Sequence, residues 1–361
     1  MFAGGGTGGH IFPNAAVAQR LEAIGRALSP HFLVSTRDID RRVMEKLGYA
    51  YTPVGASPLS MHPLRLPRFV RDYRLAARHC GEVIARHEPV ALIATGGFVS
   101  GPAIKAAAAA GIAVALVNLD AVPGRANRWC ARDATEVFTA YPETGLRRAQ
   151  RIGVPLRAEA AERAEPGKAR FELGLRPDLE TVLITAGSQG ASTINRMMTE
   201  LLSRARHKRT FDRWQVLHLT GHEQHAEVKA AYEKAGVAGR VEPFCHRMGL
   251  AWSAATLAVS RAGAGSVAEA WHHATPTVFM PYPFHKDQHQ KKNAEPLVNA
   301  GGAMLVTDRV DPIDNVAEVA GPLTALMTGE ARRAKMRDAA AATRPPDGAD
   351  ALAKWLVSMG G

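Results

Sequence analysis

Cysteine is scarce in this 361-residue chain, with only Cys80, Cys130 and Cys245. They are odd in number, far apart, and lack the paired spacing of a metal site. That excludes a disulfide framework or a zinc site as the basis of the fold, and a reducing cytoplasm is the simplest setting. Each cysteine reads instead as a small buried hydrophobe. Long hydrophobic runs are missing too. No apolar stretch free of charge, glycine and proline approaches the ~18 residues of a membrane span. The N-terminus has no basic segment followed by an apolar one, so no secretory signal is expected. No Gly-Lys-Ser/Thr follows any glycine run, which excludes a Walker loop. Helix-turn-helix, RNA-binding and zinc-finger patterns are absent, so no nucleic-acid partner is expected.

What is present is the balance of a soluble globular protein: 46% hydrophobic and 22% charged residues,. At roughly 150 residues per domain the length suggests two domains. The 33 glycines and 22 prolines point to many turns. The net charge of +11 is unevenly spread, with 18 Lys/Arg against 11 Asp/Glu in residues 1–150 and 27 against 23 in the rest. A basic half suits an anionic membrane surface or a phosphorylated substrate.

Short apolar runs alternate with helix-like segments throughout. The spacing predicts strands at 31–35, 90–95, 112–117 and 136–140, then at 181–186, 215–219, 257–260, 277–280 and 303–306. Amphipathic stretches such as 192–206 and 267–273 lie between them. This alternation reads as βα units on parallel sheets, and several runs are apolar throughout, as strands buried on both faces should be. Residues 153–176, rich in Ala, Glu, Arg and Pro, read as a linker between two similar α/β domains. Only Met1, Phe2 and Ala3 precede the first glycine run, so the first strand is expected to be truncated, or the true start to lie upstream.

Four glycine-rich turns fall where strands hand over to helices: Gly4 to His10, Thr95 to Pro102, Ala186 to Ala191, and Ser260 to Ser266. Glycine lets the backbone approach a ligand, and the following helix offers free N–H groups and a positive dipole end. Four such turns in two α/β domains point to a phosphate-bearing ligand in a cleft between the domains. The first is not a clean G-x-G-x-x-G with an acidic residue ~20 positions on, which disfavours a nicotinamide cofactor. His10 ends the first turn and is a candidate general base. Glu269, about one helical turn into the last helix, could accept two ribose hydroxyls. The run His285-Lys286-Asp287-Gln288-His289-Gln290, with Asn293 after it, could hydrogen-bond sugar hydroxyls.

Together these segments resemble the members of glycosyltransferase family 28 that convert lipid I to lipid II in peptidoglycan synthesis. The resemblance rests on Gly-Gly-Thr-Gly-Gly-His at 5–10 with Pro13, and on Gly96-Gly97-Phe98-Val99-Ser100-Gly101-Pro102. It rests equally on Gly187-Ser188-Gln189-Gly190-Ala191 with Asn195, and on Ser260-Arg261-Ala262-Gly263-Ala264 through Glu269, His289-Gln290 and Asn293-Ala294. It implies a GT-B fold: two Rossmann-like domains with parallel sheets facing a central cleft. The expected division is an acceptor and membrane-associating domain at 1–157, a UDP-sugar-binding domain at 158–340, and a terminal helix at 341–361 packing back on the first.

The resemblance implies inverting transfer of N-acetylglucosamine from UDP-N-acetylglucosamine to the N-acetylmuramyl 4-hydroxyl of undecaprenyl-linked lipid I. His10 is implied as the catalytic base. For the donor it implies Thr7, Gly8, Gly9, Arg157, Ser188 and Gln189. Phe244 and Cys245 are implied at the uracil, Ala264, Gly265 and Ser266 at the diphosphate, Glu269 at the ribose, and His289 and Gln290 at the sugar, with Asp287 nearby. Gly8, Gly9, Gly97, Ser100 and Asn127 are implied on the acceptor side. No cofactor is implied as required, with stimulation by a divalent cation left open.

One segment departs from the family. Where the family has His-Glu-Gln-Asn, this chain has Val117-Asn118-Leu119-Asp120, although Pro123-Gly124 and Asn127 still fit. Asp120 could assist His10, or the acceptor could differ. A glycosyltransferase of diacylglycerol, a non-catalytic nucleotide-sugar-binding homologue and a UDP-sugar epimerase are the alternatives. Residues 61–78 carry Arg65, Arg68, Arg71, Arg74 and Arg78 against Asp72, interleaved with Met61, Leu64, Leu66, Phe69, Val70 and Tyr73. That suits contact with anionic lipid on the cytoplasmic face of the inner membrane, with Leu66, Arg68, Phe69 and Arg71 as contacts. An ordinary helix with its apolar face in the core is the other reading.

Overall fold

The computed structural model describes the chain apart from Thr7, residues 26–28, 58–65, Glu143, 187–189, 205–210, Asp212 and Gly361. It divides into two compact units, Met1–Arg157 with Pro346–Gly361, and Ala158–Pro345. Among the described residues, no helix is long and apolar enough to cross a membrane.

The first unit is built on seven strands: β1 (Phe2–Ala3), β2 (His31–Ser35), β3 (Ala50–Val54), β4 (Ala91–Ala94), β5 (Ala113–Asn118), β6 (Glu136–Thr139) and β7 (Gln150–Arg151). All pair in parallel, in the order β3-β2-β1-β4-β5-β6-β7. β1 is short, as expected, but the ladder continues past it: the Ile93 amide donates to the Met1 carbonyl and the Gly4 amide to that of Leu33. Strands β3 and β7 were not legible as apolar runs because they are the two edges. β3 is largely uncovered and contains Pro53, and both residues of β7 are exposed,.

The helix Leu66–His87 buries Ala76, Cys80, Val83 and Ile84, one stripe at helical spacing,. Cys80 and Cys130 are both buried in this core, and burial pushes their thiols up to about 12. The C-terminal helix Gly348–Met359 belongs to this unit. Asp347 caps it by accepting from the Ala349 amide at 2.9 Å. Arg20, on the helix Gly8–Ala23, reaches both Asp347 at 2.5 Å and Asp350 at 2.8 Å. Leu352, Ala353 and Leu356 are buried beneath it.

The second unit has β8 (Glu180–Thr185), β9 (Trp214–Leu219), β10 (Gly239–Glu242), β11 (Leu257–Ser260), β12 (Thr277–Phe279) and β13 (Ala303–Leu305), all parallel in the order β10-β9-β8-β11-β12-β13. Its inner strands β8, β9 and β11 are covered on both faces. Val182, Ile184, Val216 and Val259 enter one apolar cluster, while Leu183, Leu217 and Ala258 enter the other. That alternation is the period of a strand, and double burial explains the unbroken apolar runs. The unpredicted strand, β10, is again an exposed edge.

Both sheets reverse their strand order once, between β1 and β4 in the first and between β8 and β11 in the second. Ligands of open parallel sheets bind outside the carboxyl ends of strands at such a switch point. The four glycine-rich turns follow β1, β4, β8 and β11, so each unit carries two of them at its own switch point.

Candidate functional site

In the first unit the turns after β1 and β4 interlock. Gly97 has φ +79°, and a side chain there would collide with the Gly5 carbonyl. Only glycine tolerates both the left-handed backbone and the close approach. Ser100, 2% exposed, accepts from the Gly96 amide at 3.1 Å and is within 2.6 Å of the Gly96 carbonyl. Its hydroxyl therefore closes the second turn. Asp40 does the same for the first: fully buried, it accepts from the Gly6 amide at 2.6 Å and from the amide and hydroxyl of Ser35. Arg37 donates to the Gly6 carbonyl at 3.0 Å and lies over the Phe98 ring.

His10 stands in the first turn of the helix Gly8–Ala23, between these loops and partly exposed. Its Nδ1 lies 3.0 Å from the carbonyl oxygen of Thr95, and the Thr95 hydroxyl donates to the His10 carbonyl at 2.5 Å. A carbonyl only accepts, so Nδ1 carries the proton and, in the neutral ring, Nε2 keeps its lone pair. That is the tautomer of a general base. Gly96 leaves room beside the imidazole: a Cβ there would lie 3.2 Å from the ring and 3.3 Å from Asn127 Oδ1. Asn127 donates to Asn118 Oδ1 at 3.1 Å, and Asn118 donates to the Asp120 carbonyl at 2.7 Å. His10, Gly96, Asn127 and the 118–120 segment thus form one neighbourhood. The orienting bond on His10 Nδ1, however, comes from Thr95 and not from Asp120. Gly8 is buried and Gly9 exposed beside it, and the Arg157 guanidinium stacks 4.0 Å from the centre of the Phe12 ring on the same helix.

In the second unit the helix Ala264–His273 starts directly after the β11 turn. Its N-cap, Gly263, supplies no side-chain bond. The amides of Ala264, Gly265 and Ser266 open the helix, and a Cβ on Gly263 or Gly265 would meet nothing within 4 Å. Open space before a helix start with no side-chain cap suits an anion. The turn is held by Arg261, whose Nη1 donates to the carbonyls of Met280 and Pro281 and to Asp308 Oδ2 at 2.8 Å, while Nη2 donates to Thr193 at 2.5 Å. The Arg261 and Asp308 side chains are 7% and 0% exposed. Burial works against the Asp308 charge, yet bonds from Thr193, Asn315, Val310 and Arg261 hold its carboxyl below the usual range.

Glu269 follows on this helix, half-buried, and its Oε2 accepts from Trp252 Nε1 at 2.7 Å. Phe244 and Cys245 follow β10, and burial leads the effects that raise the Cys245 thiol, with the Glu269 charge also contributing. The helix His289–Asn299 brings in the sugar-side candidates. His289 Nδ1 bonds Asp287 at 2.8 Å, and Gln290 Oε1 accepts from the Tyr282 amide at 2.9 Å, leaving its NH2 to donate elsewhere. Asn293, fully buried, ties that helix to the Ala262 carbonyl. Burial opposes the Asp287 charge, but the ring and amide bonds from His289 outweigh it and lower its carboxyl. Ser188 and Gln189, like Thr7, lie outside the described residues. Among the described residues no three His, Cys, Asp or Glu side chains group to hold a metal ion.

The basic stretch at 61–78 is described from Leu66 onward. Leu66 is 39% exposed and Leu75 59%. Arg68 and Arg71 project outward and pair with Asp72 at 3.8 and 3.0 Å. Phe69, Tyr73 and Trp129 form a tilted row with centroids 5.9 and 5.1 Å apart. The fully buried stripe begins at Ala76; before it Phe69, Val70 and Tyr73 are partly covered, with the Tyr73 hydroxyl donating to the Gly101 carbonyl at 3.1 Å, while Leu66, Arg68 and Arg71 are exposed.

Two family models match the chain. Glycosyltransferase family 28 N-terminal domain covers residues 1–139, and glycosyltransferase family 28 C-terminal domain covers residues 181–352. A UDP-N-acetylglucosamine--N-acetylmuramyl-(pentapeptide) pyrophosphoryl-undecaprenol N-acetylglucosamine transferase from a Nocardioides species is 36% identical, over 100% of this chain and 98% of that relative. The protein of the same name from Thermobifida fusca is 34% identical, over 99% of this chain and 93% of its own length. Among solved structures, MurG of Acinetobacter baumannii aligns with a TM-score of 0.75 at 24% identity, covering 99% of this chain and 98% of that one. A single-substitution variant of Os79 from O. sativa in complex with UDP aligns with a TM-score of 0.68 at 16% identity, covering 99% of this chain and 100% of that one. These two likenesses show the fold: paired α/β units on parallel sheets.

Proposed function

The chain belongs to glycosyltransferase family 28, and from that premise we propose that it transfers N-acetylglucosamine from UDP-N-acetylglucosamine to the 4-hydroxyl of the N-acetylmuramyl group of lipid I, forming lipid II. The observation that carries the chemistry is the tautomer of His10, fixed by the Thr95 carbonyl. Nε2 takes the proton of the acceptor hydroxyl as its oxygen attacks the anomeric carbon. The bond to UDP breaks in the same step, the electron pair leaves with the diphosphate, and the configuration inverts. Negative charge building there is met by the amides of Ala264, Gly265 and Ser266 and the helix dipole,. This stabilisation calls for no metal ion. Glu269 accepts from the ribose, and His289 and Gln290 hold the sugar.

The acceptor is lipid-linked, and the chain works as a peripheral protein at the cytoplasmic face of the membrane. Leu66, Arg68, Phe69 and Arg71 meet the anionic surface there. The names of the curated relatives and the exposed start of the helix Leu66–His87 support this reading. The test supplies labelled UDP-N-acetylglucosamine with a lipid I analogue or with diacylglycerol, in the presence of a chelator. A disaccharide product from the analogue alone is expected. Product only from diacylglycerol, or none without added metal, overturns the acceptor or the charge-stabilisation step respectively.

A further inference from the structure

Trp252 is a large side chain buried to 1% exposure in the core of the second unit. Its one polar atom is the indole N–H, a donor with no acceptor capacity. A buried indole N–H needs a partner, and here it takes the carboxylate of Glu269, at 2.7 Å. Trp252 sits on the helix Met248–Ala254 and Glu269 on the helix Ala264–His273, so the bond locks a carboxylate on one helix to the rigid packing of another. A flexible Glu side chain loses rotamer freedom when it captures a ligand. A charge-assisted bond from an immobile donor removes that freedom beforehand.

We propose that Trp252 is a positioning residue for ribose recognition: its indole N–H holds the Glu269 carboxylate in the orientation that accepts the two ribose hydroxyls of the nucleotide. The inference rests on the reading of Glu269 as the ribose acceptor, and it deepens that reading by naming what presents the carboxylate. It predicts that the indole N–H matters only for ligands with ribose hydroxyls. A purely structural tryptophan would affect all nucleotides alike.

The test measures affinity for UDP and for 2′,3′-dideoxy-UDP in wild type, Trp252→Phe, Glu269→Ala and the double variant. Trp252→Phe should weaken UDP about tenfold and leave dideoxy-UDP within about twofold. The KM for the sugar nucleotide should rise with kcat nearly unchanged, and adding Trp252→Phe to Glu269→Ala should cost nothing more. Equal loss for both nucleotides, or no loss for either, overturns the positioning role. Failure of Glu269→Ala itself to abolish discrimination between them overturns the ribose reading instead. If Trp252→Phe does not fold, replacing the indole by its isosteric benzothiophene removes the N–H while keeping the volume, and the same outcomes decide.

Discussion

Replacing His10 by asparagine separates what the residue does for the loop from what it does for the reaction. The Asn amide nitrogen can stand where Nδ1 stands and go on donating to the Thr95 carbonyl, now at 3.0 Å, but nothing replaces Nε2. A positioned general base contributes 10²–10⁴-fold, which is roughly 2.7–5.4 kcal/mol of the barrier. The retained bond is worth only about 0.5–1.5 kcal/mol of stability. His10→Asn should therefore melt close to wild type while kcat falls by at least about 10². His10→Gln places its amide nearer Nε2 and loses the Thr95 bond, so it should lose similar activity and additionally about 1 kcal/mol of stability. His10 is assigned to the acceptor hydroxyl and not to the nucleotide, so UDP affinity should stay within about twofold for both. The assay is steady-state UDP release alongside thermal unfolding and UDP titration. A His10→Asn variant that folds and keeps kcat within about tenfold of wild type would refute the base assignment.

Asp308→Asn should cost roughly 3–5 kcal/mol of stability, because it leaves the buried Arg261 guanidinium without its counter-charge,; denaturant titration checks this, and a loss below about 1 kcal/mol contradicts it. Burial pushes His218 down to about 3 from 6.5. Its neutral form bonds Asn195 and Tyr232, so its contribution is full above about pH 6.5 and is lost as the pH falls toward 3. Stability should fall by on the order of 1.4 kcal/mol per pH unit in that window, and His218→Gln should flatten the slope by about one proton; an unchanged slope argues against it. Reversing charge with Arg68→Glu and Arg71→Glu should weaken binding to anionic vesicles by roughly 2 kcal/mol or more, less so at high salt, and binding that does not change removes the lipid contact.

Most of the fold was legible because buried parallel strands announce themselves. The run 181–186 is apolar on both faces because the strand Glu180–Thr185 has a cluster on each side. The strands that escaped, β3, β7 and β10, are edges with no such requirement. The glycine turns were legible because their conformation demands the residue, as at Gly97. What positions them was not. Asp40 and Arg37 reach the first turn from another βα unit, and Asp308 reaches Arg261 across 47 residues. Such long-range partners leave no local spacing to read. His10 and Glu269 stood out by their place after a turn, whereas Thr95 and Trp252, which orient them, act through a backbone carbonyl and a core side chain. Asn195 read as part of a ligand-binding motif, and it also serves His218, Gln224 and the Thr220 carbonyl within the core.

The most direct measurement is UDP release from UDP-N-acetylglucosamine with and without a soluble lipid I analogue, for wild type and His10→Asn. Release that requires the analogue and collapses in the variant is the predicted result. UDP binding without analogue-dependent release would contradict transfer to lipid I.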